Sequence, residues 1–158
     1  MSVKQISIFL ENKPGTLQKM TDVLSKNKIN MRAISLAETK DFGIARVIVD
    51  DDYEATQVLK EENFINSLTP VLAVEIKNEV GALSKTLQVF SEGGINIEYM
   101  YSFLSVKRPE HACMIFRVTD TAKAEAYLGT HGVRLLNQDE LSETPCSQRI
   151  CAMTWRSS

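Results

Sequence analysis

No stretch of this chain stays apolar for long enough to span a bilayer, and MSVKQISIFLEN at its start holds only a short apolar run with a charged residue soon after. Neither a membrane span nor export is expected, which makes the cytoplasm the expected location. Cysteine is scarce. Cys113, Cys146 and Cys151 are odd in number and lack framework spacing, which argues against a disulfide scaffold and suits reduced thiols. Cys146 and Cys151 have no second pair or nearby His to complete a zinc site, so no metal and no cofactor is expected. Charge of one sign is also missing. Lys and Arg total 18 against 20 for Asp and Glu, so nothing draws the whole molecule to nucleic acid or anionic lipid. The two histidines complete no catalytic set. His111 and Cys113 lie two apart on an expected strand, but Cys113 matches an apolar position elsewhere in the chain and reads as core. His131 sits beside Gly132 without an evident carboxylate partner. An enzyme is not expected.

What the chain does have is a repeat. With Gly15 placed on Gly81, Leu17 falls on Leu83, Leu24 on Phe90, Ile29 on Ile95, Asn30 on Asn96 and Met31 on Ile97. After a longer connection in the second copy (Val106 to Glu110), the match resumes with Val49 on Val118, Asp51 on Asp120, Ala55 on Ala124 and Leu59 on Leu128. Two copies indicate duplication of a folding unit and not a solenoid. Each copy reads as strand, helix, strand, strand, helix, strand. Ile6, Ile8 and Leu10 alternate with Gln5, Ser7 and Phe9, as a strand with one buried face would. Leu17, Met20 and Leu24 recur at helical spacing, as do Leu83, Leu87 and Phe90. Asn27 and Gly93 follow these runs and are expected to close the helices in the left-handed conformation. Met31 to Ala37 and Ile44 to Val49 read as a hairpin, and Asp51 and Asp52 open a second helix over Tyr53 to Glu62. The expected class is α+β: two tandem ferredoxin-like βαββαβ units, each an antiparallel sheet with both helices on one face. The expected domains are residues 1–70 and 71–141, with 142–158 as a flexible tail. In that tail Trp155 is a candidate anchor onto the body.

The turns LENKPGTLQKM (Leu10 to Met20) and IKNEVGALSKTL (Ile76 to Leu87) carry the chemistry. A helix start presents backbone N–H groups without internal partners and the positive end of the peptide dipoles, so it can hold a carboxylate. Gly15 and Gly81 let the backbone turn sharply and leave no side chain over that end. Asn12 and Asn78 at the strand exits, and Asn30 and Asn96 at the next strand's start, supply amide donors and acceptors suited to a zwitterion. A phosphate-rich nucleotide would call for a longer Gly-rich loop and a Lys.

Glu11-Asn12-Lys13-Pro14-Gly15-Thr16-Leu17 with Ile29-Asn30-Met31, and Asn78-Glu79-Val80-Gly81-Ala82-Leu83 with Gly94-Ile95-Asn96-Ile97, resemble the ACT domain family of amino-acid-binding regulatory modules. The resemblance covers about residues 3–141 and implies ligands held at domain interfaces, by the first strand-helix loop and the residues opening the second strand. It implicates Asn12, Pro14, Gly15, Thr16, Leu17, Asn30 and Met31 in one copy, and Asn78, Val80, Gly81, Ala82, Leu83, Asn96 and Ile97 in the other. In the serine-sensing regulatory domains of phosphoglycerate dehydrogenases a His stands two residues before the first Asn. Leu10 and Ile76 occupy those places here, which argues against serine. The expected function is a non-catalytic amino-acid sensor, allosteric in action, working as a homodimer with an amino acid as ligand and with a partner enzyme left open. Two alternatives remain: an RNA-binding module of the same topology, and a purely structural dimerisation or protein-interaction module. The first is disfavoured because Lys40 to Val47 lacks the later aromatics on which bases stack and because each copy is acidic, so no nucleic-acid partner is expected.

Overall fold

The computed structural model describes residues 2–104 and 110–142. All of the expected tail but Ser142, with Cys146, Cys151 and Trp155, and all but the last residue of the 106–110 connection, lie outside the described residues. Elements run β1 (Val3–Glu11), α1 (Thr16–Lys26), β2 (Met31–Glu38), β3 (Phe42–Val49), α2 (Asp52–Glu61) and β4 (Asn66–Lys77). They continue as α3 (Ala82–Glu92), β5 (Ile97–Leu104), β6 (His111–Val118), α4 (Thr121–Thr130), β7 (Arg134–Leu136) and α5 (Gln138–Ser142). Residues 5–69 form one compact unit, and residues 70–142 with residues 2–4 form the other.

In the first unit β3 lies between β1 and β2, antiparallel to both, with Ile8 opposite Ala45 and Leu36 also opposite Ala45. The Phe9 N–H donates to the Ile65 carbonyl at 2.9 Å, just before β4 begins. One strand face supplies Ile6, Ile8, Leu10, Ala45, Val47 and Val49 to a core that also contains Met20, Val23 and Leu24 of α1 and Ala55 and Leu59 of α2. Both helices therefore cover the same face, as alternation along β1 dictates. Gln5, placed by that alternation on the polar side, is instead fully buried and donates through Nε2 to Ser7 Oγ at 3.1 Å. Phe9 stays half exposed.

The second unit repeats the plan. β4 lies between β7 and β6, β5 pairs with β6, and every pairing is antiparallel. Leu72, Val74, Met114, Phe116 and Val118 meet Phe90 of α3 and Ala124 and Leu128 of α4. The Phe90 and Phe116 rings lie 4.7 Å apart in a tilted pair, worth about 0.5–1.5 kcal/mol beyond their burial. Each unit is thus the ferredoxin-like arrangement expected.

Two local expectations need correction. Asn27 and Gly93 do not take the left-handed conformation: their φ values are −92° and −81°. The positive φ falls one residue later, at Lys28 (56°) and Gly94 (62°). Space explains Gly93, because a Cβ there would overlap the Tyr127 ring. The short helix α5 is an element that the hydrophobic pattern missed. Its signal is a capping box: the Glu140 N–H donates to Asn137 Oδ1 at 2.8 Å while the Asn137 N–H donates to Glu140 Oε1 at 3.3 Å.

Candidate functional site

The four long helices begin in two different ways. Asp51 and Asp120 cap α2 and α4, accepting from the Glu54 N–H at 2.9 Å and the Lys123 N–H at 3.1 Å. By contrast α1 and α3 begin on Gly15 and Gly81, both at φ 86°, with no side-chain cap and no acidic residue in the first turn. The first N–H of each donates to a turn carbonyl, Thr16 to Lys13 at 3.4 Å and Ala82 to Glu79 at 3.3 Å, but the next N–H groups meet no side-chain acceptor among the described residues, and a Cβ at either glycine would meet nothing within 4 Å. Among the described residues, the duplicated Gly corners are the two long-helix starts with no acidic side chain capping them.

Around the first of these, the Asn12 N–H donates to the Asp41 carbonyl at 3.1 Å, and Nδ2 reaches the Thr39 and Lys40 carbonyls at 3.4 Å. The β2–β3 turn therefore holds the Asn12 amide. Glu11 and Lys13 form an exposed ion pair at 2.6 Å, and the Lys13 ammonium, by hydrogen bond and by charge, lowers the Glu11 pKa. Pro14 is exposed, Leu17 partly so, and Thr16 Oγ1 is buried without a hydrogen-bond partner. Around the second, the Asn78 N–H donates to the Glu110 carbonyl at 2.7 Å in the same way, but the Asn78 side chain makes no bond to the described residues. Val80 is fully exposed, whereas Ala82 is buried and Leu83 packs against the core.

Asn30 and Asn96 stand at the other end of their units. Asn12 meets the turn after β2 and Asn30 precedes β2, so the length of an 8-residue strand, roughly 25 Å at about 3.3 Å per residue, separates them. Within one unit the two amides do not meet. Met31 is buried in the core of the first unit, and Ile97 packs against the core of the second. Asn30 Nδ2 donates to Asp50 Oδ2 at 3.3 Å, and Arg32 grips the same carboxylate through Nε at 2.5 Å and a second guanidinium nitrogen at 2.9 Å. The Asn96 amide has no such partner. It lines a cavity of about 310 Å³ with Gly93, Gly94, Ile95, Thr119, Asp120, Lys123 and Ala124.

A family model described as "ACT domain pair" matches residues 1–144. The chain belongs to the ACT domain pair family. Among solved structures, this ACT pair is similar to protein BT0572 from Bacteroides thetaiotaomicron, with 40% identity, 90% of this chain and 97% of the other covered, and a TM-score of 0.84. Two regulatory subunits of aspartate kinase share its fold. That of Thermus thermophilus, in ligand-free form, has 21% identity, covers 83% and 91% of the two chains and has a TM-score of 0.61. That of Thermus flavus has 19% identity, covers 83% and 92% and has a TM-score of 0.60. No curated protein matches the chain.

One feature of the ACT pair escaped sequence reasoning. A cavity of about 420 Å³ in the second unit is lined by Glu75, Lys77, Glu79, Lys85, His111 and Arg134, among others. Glu75, only 10% exposed, lies 3.9 Å from His111 Nε2 and 3.7 Å from Arg134. Strand pairing brings Arg134 opposite Glu75, a contact no local pattern announces. Beside them Cys113 is buried, and burial, reinforced by the Glu75 charge, pushes its thiol up to about 12. A thiol held neutral in this way is a poor nucleophile, which leaves the Cys113–His111 pair without the thiolate that covalent catalysis needs.

Proposed function

We propose that the chain is a non-catalytic regulatory protein that binds an amino acid at its Gly corners, acts in the cytoplasm as a homodimer, and transmits ligand occupancy to a partner enzyme. The observation that carries this reading is the contrast between capped and uncapped helix starts. Two helices hold their own carboxylate and two, at the duplicated Asn-x-x-Gly turns, hold none. A free carboxylate supplies what Asp51 and Asp120 supply elsewhere, and an adjacent amide receives the ammonium or orients the ligand. The strand-start asparagine lies too far away within its own unit, so the complete site takes it from the same region of a second copy of the chain.

Association has support in the first unit, where Phe9 and Phe42 lie on adjacent strands at diagonal positions, 48% and 57% exposed. A ligand bridging two copies stabilises one arrangement over others, and the occupancy signal is that shift in population. The two aspartate kinase structures are themselves regulatory subunits, which is in keeping with a regulatory role for a chain of this fold. As sequence domains we take 1–70 and 71–141. Calorimetric titration of the purified protein with each common amino acid tests the reading. Saturable heat from at least one is expected, and silence from all, with an unmoved melting temperature, would leave only a structural or protein-contact role.

A further inference from the structure

We propose that the 420 Å³ cavity of the second unit is a site for a small aromatic carboxylate, its ring lying where the first unit places the Phe64 side chain and its carboxylate facing Lys77 and Arg134. The site lies within one unit and does not depend on the Gly corners taking an amino acid.

The first unit shows what fills this place. Phe64 and Val133 are matched positions of the duplication. Each follows a residue at positive φ, Asn63 at 65° and Gly132 at 77°. Each N–H donates back into its helix, that of Phe64 to the Leu59 carbonyl at 2.9 Å and that of Val133 to the Leu128 carbonyl at 3.2 Å. The two side chains therefore leave the backbone alike, and each packs against its own core. In the first unit the Phe64 ring lies under Lys19 Nζ, 5.9 Å from the ring centre, a cation–π contact. In the second the lysine is kept, as Lys85, but the ring is gone. Val133 is too short to replace it, and Thr86 stands where the first unit buries Met20. Val133, Thr86 and Lys85 all line the cavity, whose volume falls in the range of small-molecule pockets, roughly 300–1,000 Å³.

The charge of the lining has changed as well. Lys77 and Arg134 stand where the first unit has Glu11 and Ile65, so two cations replace one carboxylate and one apolar chain. Of the carboxylates in the lining, Glu75 is met by His111 at 3.9 Å and by Arg134 at 3.7 Å, and Glu79 is exposed. The ammonium groups of Lys77 and Lys85 have no partner among the described residues. An aryl group carrying a carboxylate on a short chain meets both conditions: it restores the missing ring beneath the lysine and brings the anion that Lys77 lacks.

The test is calorimetry and two-dimensional amide spectra on the full chain, titrated with 3-phenylpropanoate and with its cyclohexyl analogue. One saturable site per chain is expected, with shifts at the Val133 and Lys85 amides. Val133→Phe, which copies the first unit, should melt no lower than the original chain and should abolish binding. Thr86→Met, which copies Met20, narrows the same cavity and should weaken binding, giving a second reading should Val133→Phe not fold. Lys77→Gln should weaken binding about threefold to tenfold. Lys85→Gln should weaken the phenyl ligand more than the cyclohexyl one, by about twofold to fivefold, a difference that a merely structural role for Lys85 would not produce. No binding of 3-phenylpropanoate, shifts away from Val133 and Lys85, or affinity that survives both Val133→Phe and Thr86→Met would overturn the assignment.

Discussion

Substituting alanine at Gly15 and at Gly93 should destabilise the protein for opposite reasons. Gly15 sits at φ 86° with nothing within 4 Å of an added Cβ, so its cost is backbone strain alone. Alanine in the left-handed region costs about 1–2 kcal/mol, offset by about 0.4–1 kcal/mol from the reduced freedom of the unfolded chain. The net loss should be about 1 kcal/mol. Asn, which tolerates that region, should lose less. Gly93, at φ −81°, permits alanine without strain, so the unfolded-chain effect alone would stabilise. Its Cβ would instead overlap the Tyr127 ring, an overpacking worth about 1–3 kcal/mol. Urea denaturation of Gly15→Ala, Gly15→Asn, Gly93→Ala and Gly93→Ala with Tyr127→Ala separates the two mechanisms. In the Tyr127→Ala background Gly93→Ala should become neutral or stabilising. If its cost persists there, or if Gly15→Asn is worse than Gly15→Ala, the assignment of the two glycines to strain and to space is wrong.

Asp51→Ala should cost about 1 kcal/mol because the Glu54 N–H loses its acceptor, while Asp51→Asn keeps most of the stability; chemical denaturation reads both. Cys113 titrates with a raised folded pKa, so its stabilising effect is fully present below the ordinary thiol range and is lost as pH rises from about 9 towards about 12. In a Cys146→Ser, Cys151→Ser background the native protein should therefore resist a thiol reagent at pH about 8 and react once unfolded. Further substitution of Cys113 by Ala should flatten the alkaline loss of stability; a native thiol that reacts as fast as free cysteine would contradict its burial.

Much of the fold was legible because the duplicated copies present one period twice. Ile6, Ile8 and Leu10 at period two, and Met20 and Leu24 at helical spacing, point to the core in which they are found. Misreadings arose where tertiary contacts decide. Gly93 is glycine because of a ring on the next helix, and Gln5 is buried although its neighbours' alternation puts it outside. The Asn-Gly corners were visible as a repeated motif. Whether each asparagine is already engaged was not, because Asp50 and Arg32 reach Asn30, and the β2–β3 turn reaches Asn12, from positions that local pattern does not link. The Glu75, His111 and Arg134 cluster depends on strand register for the same reason.

The claim that matters most is that a free amino acid docks on an uncapped helix start. Two-dimensional amide spectra recorded during titration with each common amino acid test it most directly. The account predicts saturable shifts for at least one amino acid at the backbone amides of Gly81, Ala82 and Leu83, or of Gly15, Thr16 and Leu17, together with the Asn96 side-chain amide. Shifts confined to other surfaces, or none with any amino acid, would contradict it.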